Sequence, residues 1–80
     1  MMSLAEIQNG QRARVVRVKG DDQTSLRLME MGLTPGSEVQ FVGIAPLGDP
    51  IEVEVLGYRL SLRKAEASRV EVSIIEAAGN

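Results

Sequence analysis

Apolar and polar residues alternate with a period of two through most of this chain, and each alternating run ends in a turn signal. Ile51-Glu52-Val53-Glu54-Val55 is the cleanest run, with aliphatic and acidic residues on opposite faces of a predicted strand. Arg59-Leu60-Ser61-Leu62-Arg63 returns with the same alternation, so Gly57-Tyr58, which follow Leu56, are read as a tight hairpin turn. Val70-Glu71-Val72-Ser73-Ile74 alternates again, and Val39-Gln40-Phe41-Val42 forms a further strand. The first strand in chain order is Arg12 through Lys19. There Arg12 and Arg14 face outward against Ala13 and Val15. The phase then slips at Val15-Val16, which predicts a bulge or strong bend.

Only one segment suits a helix of more than a single turn, Thr24 to Met31. Asp21 or Asp22 caps its start, where an acidic group suits the positive end of the helix dipole. Leu26 and Met29 lie three apart and are expected to face the core. Gly32 takes the left-handed position after the helix, and Leu33 then touches Leu28, as in a Schellman ending. Leu4-Ala5-Glu6-Ile7 suits one helical turn capped by Ser3, with Leu4 and Ile7 plugging one end of the fold. Lys64 to Ala67 suits another. Thr34-Pro35-Gly36-Ser37 reads as a type II turn. Ala45-Pro46-Leu47-Gly48-Asp49-Pro50 reads as a proline-stiffened loop with Leu47 at its tip, and the tail from Glu76 to Asn80 is expected to fray.

These elements give an all-β domain of about five short strands with one short helix after the first strand. Turn signals roughly every ten residues point to a small barrel or sandwich. Eighty residues are enough for one domain, 1–80, and too few for two. With one Phe, one Tyr and no Trp, the core must be aliphatic.

Composition narrows the chemistry. The chain has no Cys and no His, which removes disulfides, thiol redox chemistry, the common transition-metal ligands and the usual general base. Nine basic residues against eleven acidic ones leave a net charge of −2, so no global field attracts nucleic acid or anionic lipid. No apolar run approaches the ~18 residues of a membrane span, and the start lacks a secretory pattern. The expected compartment is the cytoplasm, without membrane insertion.

Candidate sites are few. Glu52 and Glu54 share a strand face and have no histidine near them in the sequence; a solvated face accounts for them better than a divalent-cation site. Arg12, Arg14, Arg17 and Lys19 form a basic stretch. Nucleic-acid recognition would pair such a stretch with surface aromatics, and only Phe41 and Tyr58 are available, Phe41 as core. Salt-paired strand residues explain it better. Met29 and Met31 either fill core space or, for Met31 near the helix end, offer an adaptable contact. Leu47 is either presented by its stiff loop, at small entropic cost to a binding partner, or folded beneath it.

Two stretches carry a family resemblance. One is Leu26-Arg27-Leu28-Met29-Glu30-Met31-Gly32-Leu33-Thr34-Pro35-Gly36-Ser37-Glu38-Val39. The other is Ala45-Pro46-Leu47-Gly48-Asp49-Pro50-Ile51-Glu52-Val53, continuing through Gly57-Tyr58-Arg59-Leu60-Ser61-Leu62-Arg63-Lys64-Ala65-Glu66-Ala67. In this order they resemble the FeoA family, ferrous iron transport protein A, from Leu4 to Val72. The resemblance implies an SH3-like barrel without catalytic activity or cofactor. It implies an accessory role in ferrous iron uptake, with the cytoplasmic part of the membrane GTPase permease as partner. The same barrel occurs as the C-terminal domain of iron-dependent repressors of the diphtheria toxin repressor type, which makes a metal-responsive regulatory domain one alternative; a nucleic-acid-binding small barrel using Arg12, Arg14 and Arg17 is the other. The expected partner surface is the helix and its exit, Arg27, Glu30 and Met31, with the Leu47 loop. No catalytic or metal-binding residue is expected. A homo-oligomer through an unpaired edge at Val39–Val42 remains open.

Overall fold

The computed structural model describes residues 2–76, which form β1 (Met2–Ser3), a 3-10 turn (Leu4–Glu6), β2 (Arg12–Val18), α1 (Gln23–Glu30), β3 (Glu38–Ile44), β4 (Ile51–Val55), β5 (Tyr58–Leu62), α2 (Lys64–Ala67) and β6 (Val70–Glu76). The alternating runs pair antiparallel into one sheet of order β1-β6-β2-β3-β4-β5. Their inward residues Ala13, Val15, Val39, Phe41, Ile51, Val53, Val55, Leu62, Val70 and Val72 meet in one core cluster. Leu4, Ile7, Leu28, Leu33 and Ala67 complete that cluster from the helices and turns. Burying each of the larger aliphatic side chains stabilises the fold by about 1.5–3 kcal/mol, which is how a core with a single aromatic ring holds together.

The phase slip in β2 is a real irregularity. β2 pairs with β3 through Arg12–Arg14 and with β6 as far as Val18, and its register on β6 shifts between Val15 and Arg17. The Thr34–Ser37 turn backs onto this point: the Gly36 N–H donates to the Val15 carbonyl at 2.8 Å and the Val15 N–H to the Ser37 carbonyl at 2.8 Å. The turn closes as expected, with the Ser37 N–H donating to the Thr34 carbonyl at 2.9 Å. One strand thereby serves two neighbours, which is how a short sheet curls over its own core.

Several details depart from the sequence reading. A sixth strand, two-residue β1, pairs Met2 with Val72 and Ser3 with Glu71 ahead of the 3-10 turn. The long helix is Gln23–Glu30, with Met31 as its C-cap. Its buried positions are Ser25 and Leu28, while Leu26 is 54% exposed. The small Ser25 side chain lets the helix approach closely, and its hydroxyl is satisfied by the Asp22 carbonyl at 2.9 Å. The helix therefore turns its Ser25–Leu28 stripe inward and carries Leu26 round to solvent.

The hairpin turn is Leu56-Gly57, not Gly57-Tyr58. Val55 pairs with Tyr58, and Leu56 and Gly57 have φ of 54° and 82°, the left-handed pair that a two-residue hairpin needs. Val39–Val42 is no edge, because β3 bonds to β2 on one side and β4 on the other. The strands at the two ends of the sheet, each bonded on one side only, are β1 and β5. The expected fraying of 76–80 lies, from residue 77 on, outside the described residues, and Glu76 closes β6.

Candidate functional site

The two ends of α1 are fixed differently. At the start, Asp22 Oδ1 accepts the Ser25 N–H at 3.1 Å and an Arg69 guanidinium N–H at 2.6 Å. The Arg69 hydrogen bond, aided by the backbone donor, holds the Asp22 carboxyl at about 2 instead of 3.8. At the end, the Gly32 N–H donates to Met29 at 3.0 Å and the Leu33 N–H to Leu28 at 3.2 Å, completing the Schellman pattern. Gly32 sits at φ +107°, and a Cβ there would stand 2.7 Å from Leu56 Cδ1. The Tyr58 hydroxyl donates to the Met31 carbonyl, tying the helix exit to β5.

Glu66 of α2 joins the two helices. Its Oε1 accepts the Arg63 N–H at 3.0 Å, and its Oε2 accepts the Arg27 guanidinium. The loop from Ala45 to Pro50 is closed by Ala45 N–H to the Pro50 carbonyl, 2.9 Å, and Gly48 N–H to the Ala45 carbonyl, 2.7 Å. Asp49 Oδ1 then accepts the Lys64 N–H at 3.0 Å, so the root of the loop rests on the first turn of α2.

Two open concavities flank Arg27. One, about 400 Å³, lies along α1 and is lined by Gln23, Thr24, Leu26, Arg27 and Glu30. The other, about 480 Å³, runs between the helices and the sheet, lined by Arg27, Asp49, Pro50, Ser61, Arg63 and Glu66. Leu47 is 97% exposed at the tip of its braced loop, so of the two readings open for it the presented one is correct. Met31 is half-buried against the core cluster. The structure thus brings Arg27 and Glu30 to one surface, draws Met31 partly inward, and leaves Leu47 projecting on a loop whose root shares a cleft with Arg27. Sequence reasoning missed Glu66, Ser61, Arg63 and Tyr58 as parts of this surface. Glu66 is three residues from Arg63, the spacing of a reciprocal cap, and that was the available signal.

The basic stretch of β2 is salt-paired. Arg12 and Arg14 reach Glu38 at 2.7 and 3.3 Å, while Arg17 and Lys19 reach Glu71 at 2.8 and 3.9 Å. Hydrogen bonds from Arg12 and Arg17, respectively, are the main cause holding the Glu38 and Glu71 carboxyls below the usual range. A phosphate backbone would have to displace these carboxylates. Glu52 and Glu54 are exposed, with Glu52 3.9 Å from Arg59. Among the described residues no three acidic groups converge as a metal cage would require, and no helix is long and apolar enough to cross a membrane.

Residues 2–74 match the family model described as "FeoA domain". The chain is 38% identical over 74 residues to the Fe(2+) transport protein A/Fe(2+) transporter FeoB fusion protein of Porphyromonas gingivalis, covering 92% of this chain and 9% of that protein. It is similar to the solution structure of iron(II) transport protein A from Clostridium thermocellum, with a TM-score of 0.88, 36% identity, and 92% of this chain against 46% of that one. It is likewise similar to the zinc-complexed FeoA of Stenotrophomonas maltophilia, described as a procaryotic SH3 domain protein: TM-score 0.81, 36% identity, 91% of each chain. The curled six-stranded sheet described above is accordingly an SH3-like barrel.

Proposed function

Because the chain belongs to the FeoA domain family, we propose that it is a non-catalytic cytoplasmic accessory protein of ferrous iron uptake, residues 1–80 forming one domain, that docks on the cytoplasmic part of the membrane GTPase permease and modulates it. The observation that carries this reading is the Porphyromonas gingivalis relative, in which a region similar to this chain shares one polypeptide with an Fe(2+) transporter. Covalent fusion holds two domains at high mutual concentration, which benefits partners that work in contact. The surface chemistry agrees: this chain presents adaptable apolar side chains on a braced loop and helix.

The docking face is α1 and its exit with the Leu47 loop. Leu47 supplies a rigidly presented apolar anchor, Arg27 and Glu30 supply the polar rim, and Met31 contributes from its half-buried position at the helix end. The test is calorimetric titration of the permease's isolated cytoplasmic part. Leu47→Asp and Arg27→Glu are each expected to weaken binding about tenfold or more, the threshold of an interface residue that matters. Met31→Asp should weaken it too, but it also carries a folding cost, since Met31 packs on the core. Unchanged affinity in both Leu47→Asp and Arg27→Glu would show this face to be the wrong one.

A further inference from the structure

The connection from the 3-10 turn to β2 runs through Gln8-Asn9-Gly10-Gln11. Asn9 is exposed, and of the chain's two asparagines it is the one followed by glycine. An asparagine before a glycine can lose its side-chain amide without an enzyme. The glycine main-chain nitrogen attacks the asparagine Cγ, a cyclic imide forms and ammonia leaves. Water then opens the ring on one side to aspartate or on the other to isoaspartate. Glycine suits this step because no Cβ shields its nitrogen.

The fold opposes ring closure at this position. The Gln11 N–H donates to the Gln8 carbonyl at 2.9 Å, and Gly10 has a φ of 87°. Among the described residues Leu56 alone of the non-glycines has a positive φ, so that of Asn9 is negative. This is a type II turn with Asn9 second and Gly10 third. The second residue of such a turn has ψ near about +120°, which leaves the Gly10 nitrogen roughly a third of a turn from the place, eclipsing Asn9 Cβ, that ring closure needs. The Gly10 N–H also donates to the carbonyl of Phe41, a member of the core cluster, at 3.1 Å. The Phe41 N–H returns to the Gln11 carbonyl at 3.0 Å, and Gln11 Oε1 accepts the Gln8 N–H at 2.6 Å. Swinging the Gly10 nitrogen towards Asn9 Cγ pulls it off the Phe41 carbonyl.

From this geometry we infer that Asn9 is a latent deamidation site, protected while the Gln8–Gln11 turn is closed and converted when the turn opens. The nucleophile of the reaction is the atom whose hydrogen bond holds the turn to the core, so one contact governs both. Isoaspartate adds a methylene to the main chain between Ile7, which is buried in the core, and β2. A turn lengthened in this way cannot re-form the Gln8–Gln11 and Gly10–Phe41 bonds together. Conversion at Asn9 therefore leaves a lasting record that the turn has opened.

The test is a time course of peptide mass spectrometry on the whole chain at mildly alkaline pH, folded in buffer and unfolded in urea. Mass separates the acid products from asparagine, and chromatographic retention separates isoaspartate from aspartate. The unfolded chain is expected to convert at Asn9 at least about tenfold faster than the folded one. Gln11→Ala removes the side-chain acceptor of the Gln8 N–H and keeps the Asn-Gly pair. It is expected to speed conversion of the folded chain by about two- to tenfold, the worth of one hydrogen bond, and to leave the rate in urea unchanged. Equal rates in the folded and unfolded wild type, or no conversion at Asn9 in urea, overturn the inference. So does a folded Gln11→Ala chain that converts no faster than wild type, or one whose rate rises equally in urea.

Discussion

The hydroxyl of Tyr58, the first residue of β5, donates a hydrogen bond to the main-chain carbonyl of Met31, the C-cap of α1. This carbonyl is one of the acceptors that a helix end leaves without an internal partner. A residue 27 positions away thus completes the helix and anchors its exit to the sheet. Tyr58→Phe removes only the donor. It is expected to lower the unfolding free energy by about 0.5–1.5 kcal/mol, read as a lower urea midpoint at unchanged slope.

Gly32 and Gly36 separate conformational strain from collision. Both sit at positive φ, +107° and +92°, but a Cβ on Gly36 meets nothing within 4 Å while one on Gly32 runs into Leu56. Gly36→Ala should cost about 1 kcal/mol from backbone strain. Gly32→Ala should cost about the same strain and only a few tenths of a kcal/mol more, because the atom in its way is the end of the exposed Leu56 side chain, which can swing into solvent. A much larger loss for Gly32→Ala in parallel denaturation curves would show that Leu56 does not swing clear.

Helix α1 offers a comparison within a single turn. Leu28 is wholly buried and Leu26 is 54% exposed. Leu28→Ala should cost about 2–5 kcal/mol, a large share of the stability of so small a domain. Leu26→Ala should stay within about 0.5 kcal/mol. Thermal unfolding of the two variants side by side decides whether the helix faces the core as described.

The acid limb of stability should carry the signature of Asp22. Its carboxyl titrates at about 2 when folded against 3.8 ordinarily, so the folded state binds fewer protons between these values than the unfolded chain. The Asp22 contribution is fully present above the ordinary value and is lost as pH falls from near 3.8 through about 2. Glu38 and Glu71, also lowered by their arginine partners, add slope in the acid range. Asp22→Asn keeps the cap and removes the titration, so its stability should fall less steeply with acid than that of wild type. Identical slopes would mean the Arg69–Asp22 contact is absent in solution.

Much of the barrel was legible in the sequence, because strand alternation and turn chemistry are local. The β2 bulge appears as two adjacent valines out of phase, and the Schellman ending appears as Gly32 and Leu33. Pairings between distant segments are what local patterns do not carry. Nothing near Val39–Val42 reveals that β2 flanks it, and nothing near Tyr58 reveals Met31. Leu26 misled because an apolar residue three before Met29 suggests a core stripe, when the buried position was the small Ser25. Of the candidate surface, Arg27, Glu30, Met31 and Leu47 were chosen from the helix and loop that carry them. The Glu66 clasp and the open side of β5 depend on tertiary approach and had no local signature beyond the spacing to Arg63.

β6 lies between β1 and β2, so the segment translated after every other described strand is the one that joins the two earliest. Until residues 70–76 clear the ribosome, β2 lacks one of its two neighbours and the inward faces of Val15 and Ala13 have no lid. Closure of this barrel therefore waits for its last described strand and reaches back to its first, and a nascent chain stalled before Val70 should be readily digested by protease.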